Sequence, residues 1–239
     1  MVGDGMKALH KDFWMEIRKS KVRFISIFLI VALGVAFFSG IQASSPDMRY
    51  SGDAYYEAAK LMDLKIQGTL GLTQNDVEAV SDIDGVEMAE GGYSTDVMSG
   101  EDDARKVLHL ESISSNFNLL TADEGRIPEK SGEIFLDKPF AKNQGYKVGD
   151  TISVSEDGDS ELLKKTTYTV VGIGSSPLYI SFNRGNTTLG SGEISGFGYI
   201  LPEDFDQEAF TQIYIMVHES GDVISYTCLL YTSDAADEL

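Results

Sequence analysis

Residues 125–154 read GRIPEKSGEIFLDKPFAKNQGYKVGDTISV, and this stretch carries the most explicit turn chemistry in the chain. Pro128 marks a turn, and a strand is expected around Glu133 to Leu136. A short helix follows from Pro139. The Gly149-Asp150 pair then reverses the backbone into the β-branched strand TISV, Thr151 to Val154. The spacing leaves a strand, a helix and a second strand within thirty residues, with no room for long loops.

Outward from this unit the chain stays rich in strands. TTYTVVGIGSSPLYISF (166–182) supplies one or two strands and GFGYILPEDF (196–205) another. FTQIYIMVHE (210–219) alternates well enough to line a core. On the other side, DAYYEAAKLMDL (53–64) reads as a helix and LKIQGT (64–69) as a strand. Thr73 is a good N-cap for a helix through Val80, with Asp76 at the capping-box position. GVEMAEGGYSTDVMS (85–99) is a strand with a bulge or bend at Gly91-Gly92. ARKVLHLESIS (104–114) sets Val107, His109 and Glu111 opposite Leu108 and Leu110, an imperfect period of two. The expected class is α+β: a β-α-β-β sandwich closed by the strand at 210–219, with a β-rich insertion over about 115–205.

The amino-terminal part differs in kind. RKSKVRFISIFLIVALGVAFFSGIQASSPD (18–47) carries no charge between Arg23 and Asp47. Phe24 to Ala43 gives twenty residues with only Ser26, Ser39 and Gln42 as polar side chains. At helical rise that run spans roughly 30 Å, the hydrocarbon thickness of a bilayer. A cleaved signal would have an apolar core of about 7–15 residues behind a short basic start. Here the leader is twenty-three residues long, and Pro46 would directly follow a cut after the small residues at 43–45. A retained transmembrane helix over 24–45 is therefore expected, rather than a signal or a buried core helix. Arg18, Lys19, Lys21 and Arg23 crowd its amino-terminal side, and the positive-inside rule puts residues 1–23 in the cytoplasm and the body from residue 46 outside the plasma membrane. In the leader, Met6, Leu9, Phe13 and Ile17 share one helical face, while Lys7, Lys11, Arg18 and Lys21 share another with Trp14. That face suits membrane lipid headgroups, and equally an ordinary contact with another protein helix. MVGDG adds nothing to either face, which leaves Met6 as an alternative start.

Charge and composition exclude several classes. The net charge is −19, with +3 on residues 1–23 and −22 on the rest. An acidic body lacks the basic face that nucleic acid requires, and acidity also keeps an extracellular domain in solution. The single Cys228 allows no intrachain disulfide and no cysteine-rich metal site. His10, His109 and His218 are too scattered for a metal motif, and His109 reads as a partly buried structural residue. There is no P-loop and no nucleophile elbow, and Gly172-x-Gly174 lacks the third glycine of a dinucleotide site. The acidic runs at 101–103 and 156–159 read as solvated loops, since the twelve-residue calcium-loop spacing is missing. No catalytic residue, metal or cofactor is indicated.

The combination resembles the FtsX/MacB-like family of ABC-transporter permeases. The resemblance rests on the basic leader, one membrane helix, and an ectodomain carrying the glycine-rich pattern followed by YTVVGI. Gly125, Arg126, Pro128, Gly132, Glu133, Ile134, Gly145, Tyr146, Gly149, Asp150 and Ile152 match that pattern, and NRGNTTLGSGEISGFGYI resembles long-ectodomain members. The similarity covers roughly residues 6–219. It implies a permease, not an enzyme, with further membrane helices after the ectodomain. The permease would work as a homodimer or paired permease with a separate ABC ATPase subunit, and its ectodomain would divide into a porter-like part and a β-rich part. The final residues depart from the pattern. CLLYTSDAADEL (228–239) resembles a translated artefact of gene fragments, so 220–239 is expected to be non-native. The rival readings are a single-pass anchored binding or sensor module and, last, an anchored hydrolase.

Overall fold

The computed structural model describes residues 11, 13–16, 18–100, 105–156, 162–181 and 184–218. Most of the leader's apolar face (Met6, Leu9, Ile17), Lys7, His10, the run at 101–103, most of that at 156–159, and the tail with Cys228 lie outside them. The chain divides at Gly52/Asp53 into two compact units.

The first unit is helical. Helix α1 runs from Lys21 to Ala58 with Pro46 inside it, so its last residues, from Asp53, belong to the second unit. The expected break between a membrane helix ending near 45 and a separate helix from Asp53 is absent. Pro46 offers no backbone N–H, and the helix continues through it at the loss of one ladder bond. Through the apolar run the large apolar side chains are open, from Phe24 at 46% to Leu33 at 73% exposed. Among the described residues this is one helix long and apolar enough to cross a membrane.

The second unit holds two sheets. Strands β1 (Leu64–Leu72), β10 (Phe210–Val217) and β2 (Val86–Gly92) form an antiparallel sheet in the order β1-β10-β2. Helix α2 (Gln74–Ser81) covers one face, packing Val77 and Val80 on Ile213 and Ile215. Its start is the expected capping box: Thr73 N–H donates to Asp76 Oδ2 at 2.7 Å, and Asp76 N–H to Thr73 Oγ1 at 3.4 Å. The closing role expected for residues 210–219 is that of β10, the central strand.

The other sheet comprises β3 (Ser94–Ser99), β4 (Lys106–Ser112), β5 (Thr121–Gly125), β6 (Glu133–Asp137), β7 (Thr151–Ser155), β8 (Thr167–Ser175) and β9 (Gly196–Ile200), in the order β5-β8-β6-β9-β4-β3-β7. Because β7 also pairs with β8, six of these strands close into a ring. Val97, Leu108, Leu110, Ile134, Leu136, Ile152 and Val170 fill it. Helix α3 (Lys138–Gln144) packs Phe140 and Ala141 on the same core. Closure removes most of the edges that an open sheet would expose.

The β-rich part therefore begins at Ser94 rather than near residue 115. The strand expected to bend at Gly91-Gly92 instead changes sheet there. A Cβ on Gly91 would lie 2.5 Å from the Phe210 ring, so only glycine lets that ring pack at the crossover. The weak alternation of β4 also has a structural cause. Val107, Leu108, Leu110 and Glu111 are all at most 2% exposed, so both faces of that strand are covered.

Candidate functional site

The basic residues Lys11, Arg18, Lys19, Lys21 and Arg23 and the indole of Trp14 are all exposed on the amino-terminal side of the apolar run. Among the described residues no salt bridge to these basic groups is formed.

The glycine-rich pattern at 125–150 organises turns. Arg126 reaches Glu133 with both terminal nitrogens, at 2.7 and 2.5 Å, and Glu133 Oε2 also accepts the Glu129 and Lys130 N–H groups at 2.9 and 3.2 Å. Hydrogen bonds from Arg126 and these amides hold the Glu133 carboxyl at about 2. Pro128 is buried inside this loop. Gly132 N–H donates to Asp204 Oδ2 at 3.0 Å, and Ser131 Oγ donates to Oδ1 of that fully buried carboxylate. Asp150 Oδ2 accepts Lys147 N–H at 2.8 Å and closes the turn into β7. Gly125, Gly132, Gly145 and Gly149 all have positive φ. At Gly125 a Cβ would also collide with the Val171 carbonyl, so glycine is required twice over.

A second cluster lies where the barrel meets the three-stranded sheet. His109 Nδ1 is 2.5 Å from Asp96 Oδ1, and its Nε2 is 3.4 Å from Glu111 Oε1. Glu111, 1% exposed, also accepts the Tyr179 hydroxyl at 3.0 Å and, at 3.5 Å, that of Tyr214 on β10. Burial pulls the His109 pKa down, but hydrogen bonds to Asp96 and Glu111 and their charges outweigh it and raise it to about 9. Burial works against ionised Glu111 too, yet the His109 contact keeps its pKa below the ordinary carboxylate value. Burial and the Glu111 charge raise Tyr179, Tyr199 and Tyr214. Both imidazole nitrogens face carboxylates, so His109 at neutral pH is a cation with no lone pair for a substrate proton or a metal. The arrangement neutralises buried charge.

The segment after β8 crosses this region. Tyr179 stacks on Phe197 with centroids 4.5 Å apart. Arg184 makes two bonds to Asp137, at 3.0 and 3.1 Å, and its guanidinium lies 5.4 Å from the Phe197 ring centre. Burial nonetheless pushes the Asp137 carboxyl up.

The fold thus brings Arg126 and Glu133 together, with Gly125, Pro128 and Gly132 around them, while Gly145, Gly149 and Asp150 form a separate turn. The sequence assigns His109 a structural place but does not reveal its partners Asp96 and Glu111, nor the Tyr179 and Tyr214 hydroxyls that donate to Glu111. Asp96 lies directly opposite His109 in the β3–β4 register, and His109 and Glu111, two apart on β4, share a face of that strand.

A search of curated proteins finds no match. Among solved structures, the extracellular domain of the noncanonic ABC-type transporter YknZ from Gram-positive bacteria aligns with 64% of this chain and 76% of its own, at 11% identity and TM-score 0.42. The periplasmic region of MacB from Actinobacillus actinomycetemcomitans covers 72% and 73%, at 13% identity and TM-score 0.39. A domain of a putative permease from Porphyromonas gingivalis covers 65% and 70%, at 12% identity and TM-score 0.36. The family model of the MacB-like periplasmic core domain matches residues 24–226, which takes in the apolar run, both sheets and the first residues of the expected non-native tail. With most of its length inside that match, the chain belongs to the MacB-like periplasmic core domain family of ABC-type transporter permeases.

Proposed function

We propose that this chain is the first membrane helix and ectodomain of an ABC permease subunit that turns ATP hydrolysis by a separate cytoplasmic ATPase into work outside the membrane. The observation that carries this reading is that one family match spans the apolar run and the body together, from residue 24 to residue 226. The chain itself catalyses nothing in this scheme and needs no cofactor. Residues 1–23 form the cytoplasmic leader, 24–45 cross the bilayer, and 46–219 form the extracytoplasmic domain. Lys11, Trp14, Arg18, Lys19, Lys21 and Arg23 meet lipid headgroups and hold the N-in orientation. Gly125, Arg126, Pro128, Gly132, Glu133, Gly145, Gly149 and Asp150 keep the ectodomain stiff enough to carry motion. The working unit is a homodimer or a paired permease.

The test is affinity purification of the intact gene product from membranes of its native host. An ABC ATPase subunit should co-purify, and its ATP hydrolysis rate should change on assembly. A chain that purifies without an ATPase and leaves hydrolysis unchanged refutes the reading in favour of an anchored binding module.

A further inference from the structure

Helix α1 ends in a closed turn: Leu61 N–H donates to Tyr56 O and Lys60 N–H to Glu57 O, both at 3.0 Å. The residue that closes such a turn is left-handed and usually glycine. Here it is Lys60, at φ 48°. Against it lies Asn118, at φ 52°, and these two are the non-glycine residues with positive φ among the described residues. They are bonded to each other. Asn118 N–H donates to Lys60 O at 2.9 Å, Leu119 N–H to Ala59 O at 2.7 Å, and Met62 N–H to Asn118 Oδ1 at 3.1 Å. Asn118 is 5% exposed, and its Nδ2 is buried without a hydrogen-bond partner.

The same turn also grips the three-stranded sheet. Asp63 N–H donates to Ile215 O at 2.9 Å, and Asp63 Oδ2 accepts Val217 N–H at 2.8 Å. Residues 59–63 therefore bond both to the central strand β10 and to the connector that leaves barrel strand β4. Phe117 in that connector, fully buried, packs on Tyr214 with ring centres 6.1 Å apart. Left-handed backbone is unfavourable for residues with a Cβ, and it persists where the surroundings over-determine it. Glycine at position 60 would relax the turn but leave it compliant. Lysine and asparagine make it stiff.

We propose that the Lys60–Asn118 clasp is the joint through which the C-terminal end of α1 drives the barrel, with Asn118 as its positioning residue. This rests on the permease reading above. Movement at the end of α1 passes through the Asn118 backbone and its Oδ1 contact into β4, while Asp63 takes the three-stranded sheet along.

The test uses the full chain in lipid nanodiscs, with Cys228 replaced by serine and spin labels at exposed positions 57 and 142. Asn118→Gly keeps the left-handed backbone and loses the side chain; Asn118→Asp keeps the acceptor; Lys60→Gly eases the turn and should fold at least as well as the native chain. The native protein and Asn118→Asp should give one narrow distance distribution. Asn118→Gly and Lys60→Gly should give one about twice as wide, because the clasp no longer selects a single arrangement. Widths as narrow as native in both glycine variants overturn the proposal, as does equal broadening in Asn118→Asp. These widths are read without ATPase. If ATP with the partner ATPase fails to move the labels in the native protein, the permease reading fails while the width result still stands.

Discussion

His109→Gln removes the cation between Asp96 and Glu111 and leaves two carboxylates facing a neutral amide. The histidine pKa rises from 6.5 to about 9 in the folded chain, a preference worth roughly 3 kcal/mol at about 1.4 kcal/mol per pH unit. Because the folded value is the higher one, this stabilisation is fully present below about pH 6.5 and disappears as pH rises through about 9. Between about pH 7.5 and about pH 10 the loss integrates to about 2 kcal/mol, or roughly 4–8 °C in midpoint for a body of this size. The assay is thermal unfolding followed by circular dichroism, comparing the native chain with His109→Gln across that range. The difference between the two should shrink steadily towards alkaline pH. Parallel profiles, or a native chain that gains on the variant as pH rises, would refute the charge-sandwich account.

The glycine at the end of β5 offers a contrast with the one that caps α3. Gly125→Ala meets both a positive φ and the Val171 carbonyl and should cost roughly 3 kcal/mol or more in urea unfolding, whereas Gly145→Ala, with open space around it, should cost about 1 kcal/mol. Arg184→Met leaves the Asp137 carboxylate buried without its partner and should destabilise by about 3–5 kcal/mol at neutral pH. That loss should shrink on acidification, because protonation removes the buried charge and burial already raises the Asp137 pKa. Neutral residues in place of Arg18, Lys19, Lys21 and Arg23 should weaken the N-in orientation. It can be read by impermeant maleimide labelling of a cysteine placed at exposed Thr69 in a Cys228→Ser background. Undiminished labelling in intact cells would mean that these charges do not set it.

In the unit at 125–154 the turn into β7 was readable because its cause is local. Gly149 and Asp150 dictate the turn into β7, and the strand and helix on either side follow within a few residues of where the spacing puts them. The capping box at Thr73 and Asp76 was readable for the same reason, since its two bonds join residues three apart. What was not readable is the partner across a sheet. Nothing local in TDVMS or KVLHLES tells Asp96 that it will meet His109, or Glu111 that a tyrosine will arrive from residue 214. The crossover at Gly91-Gly92 looked like a bulge because the ring that demands it, Phe210, lies more than a hundred residues away.

The sequence alone determined what depends on neighbours along the chain: the length and apolarity of the uncharged run, the charge asymmetry around it, the capped helix and the glycine turns. These rest on rise per residue, on backbone sterics and on bonds that span one turn. Only the tertiary structure decided that six strands close into a ring, that β3 and β4 belong to it, that a histidine cation sits between buried Glu111 and half-buried Asp96, and that Lys60 and Asn118 clasp. Those features depend on which distant segments share a water-excluded interior. There the low dielectric and the need to satisfy every buried polar group fix partners that no local pattern encodes.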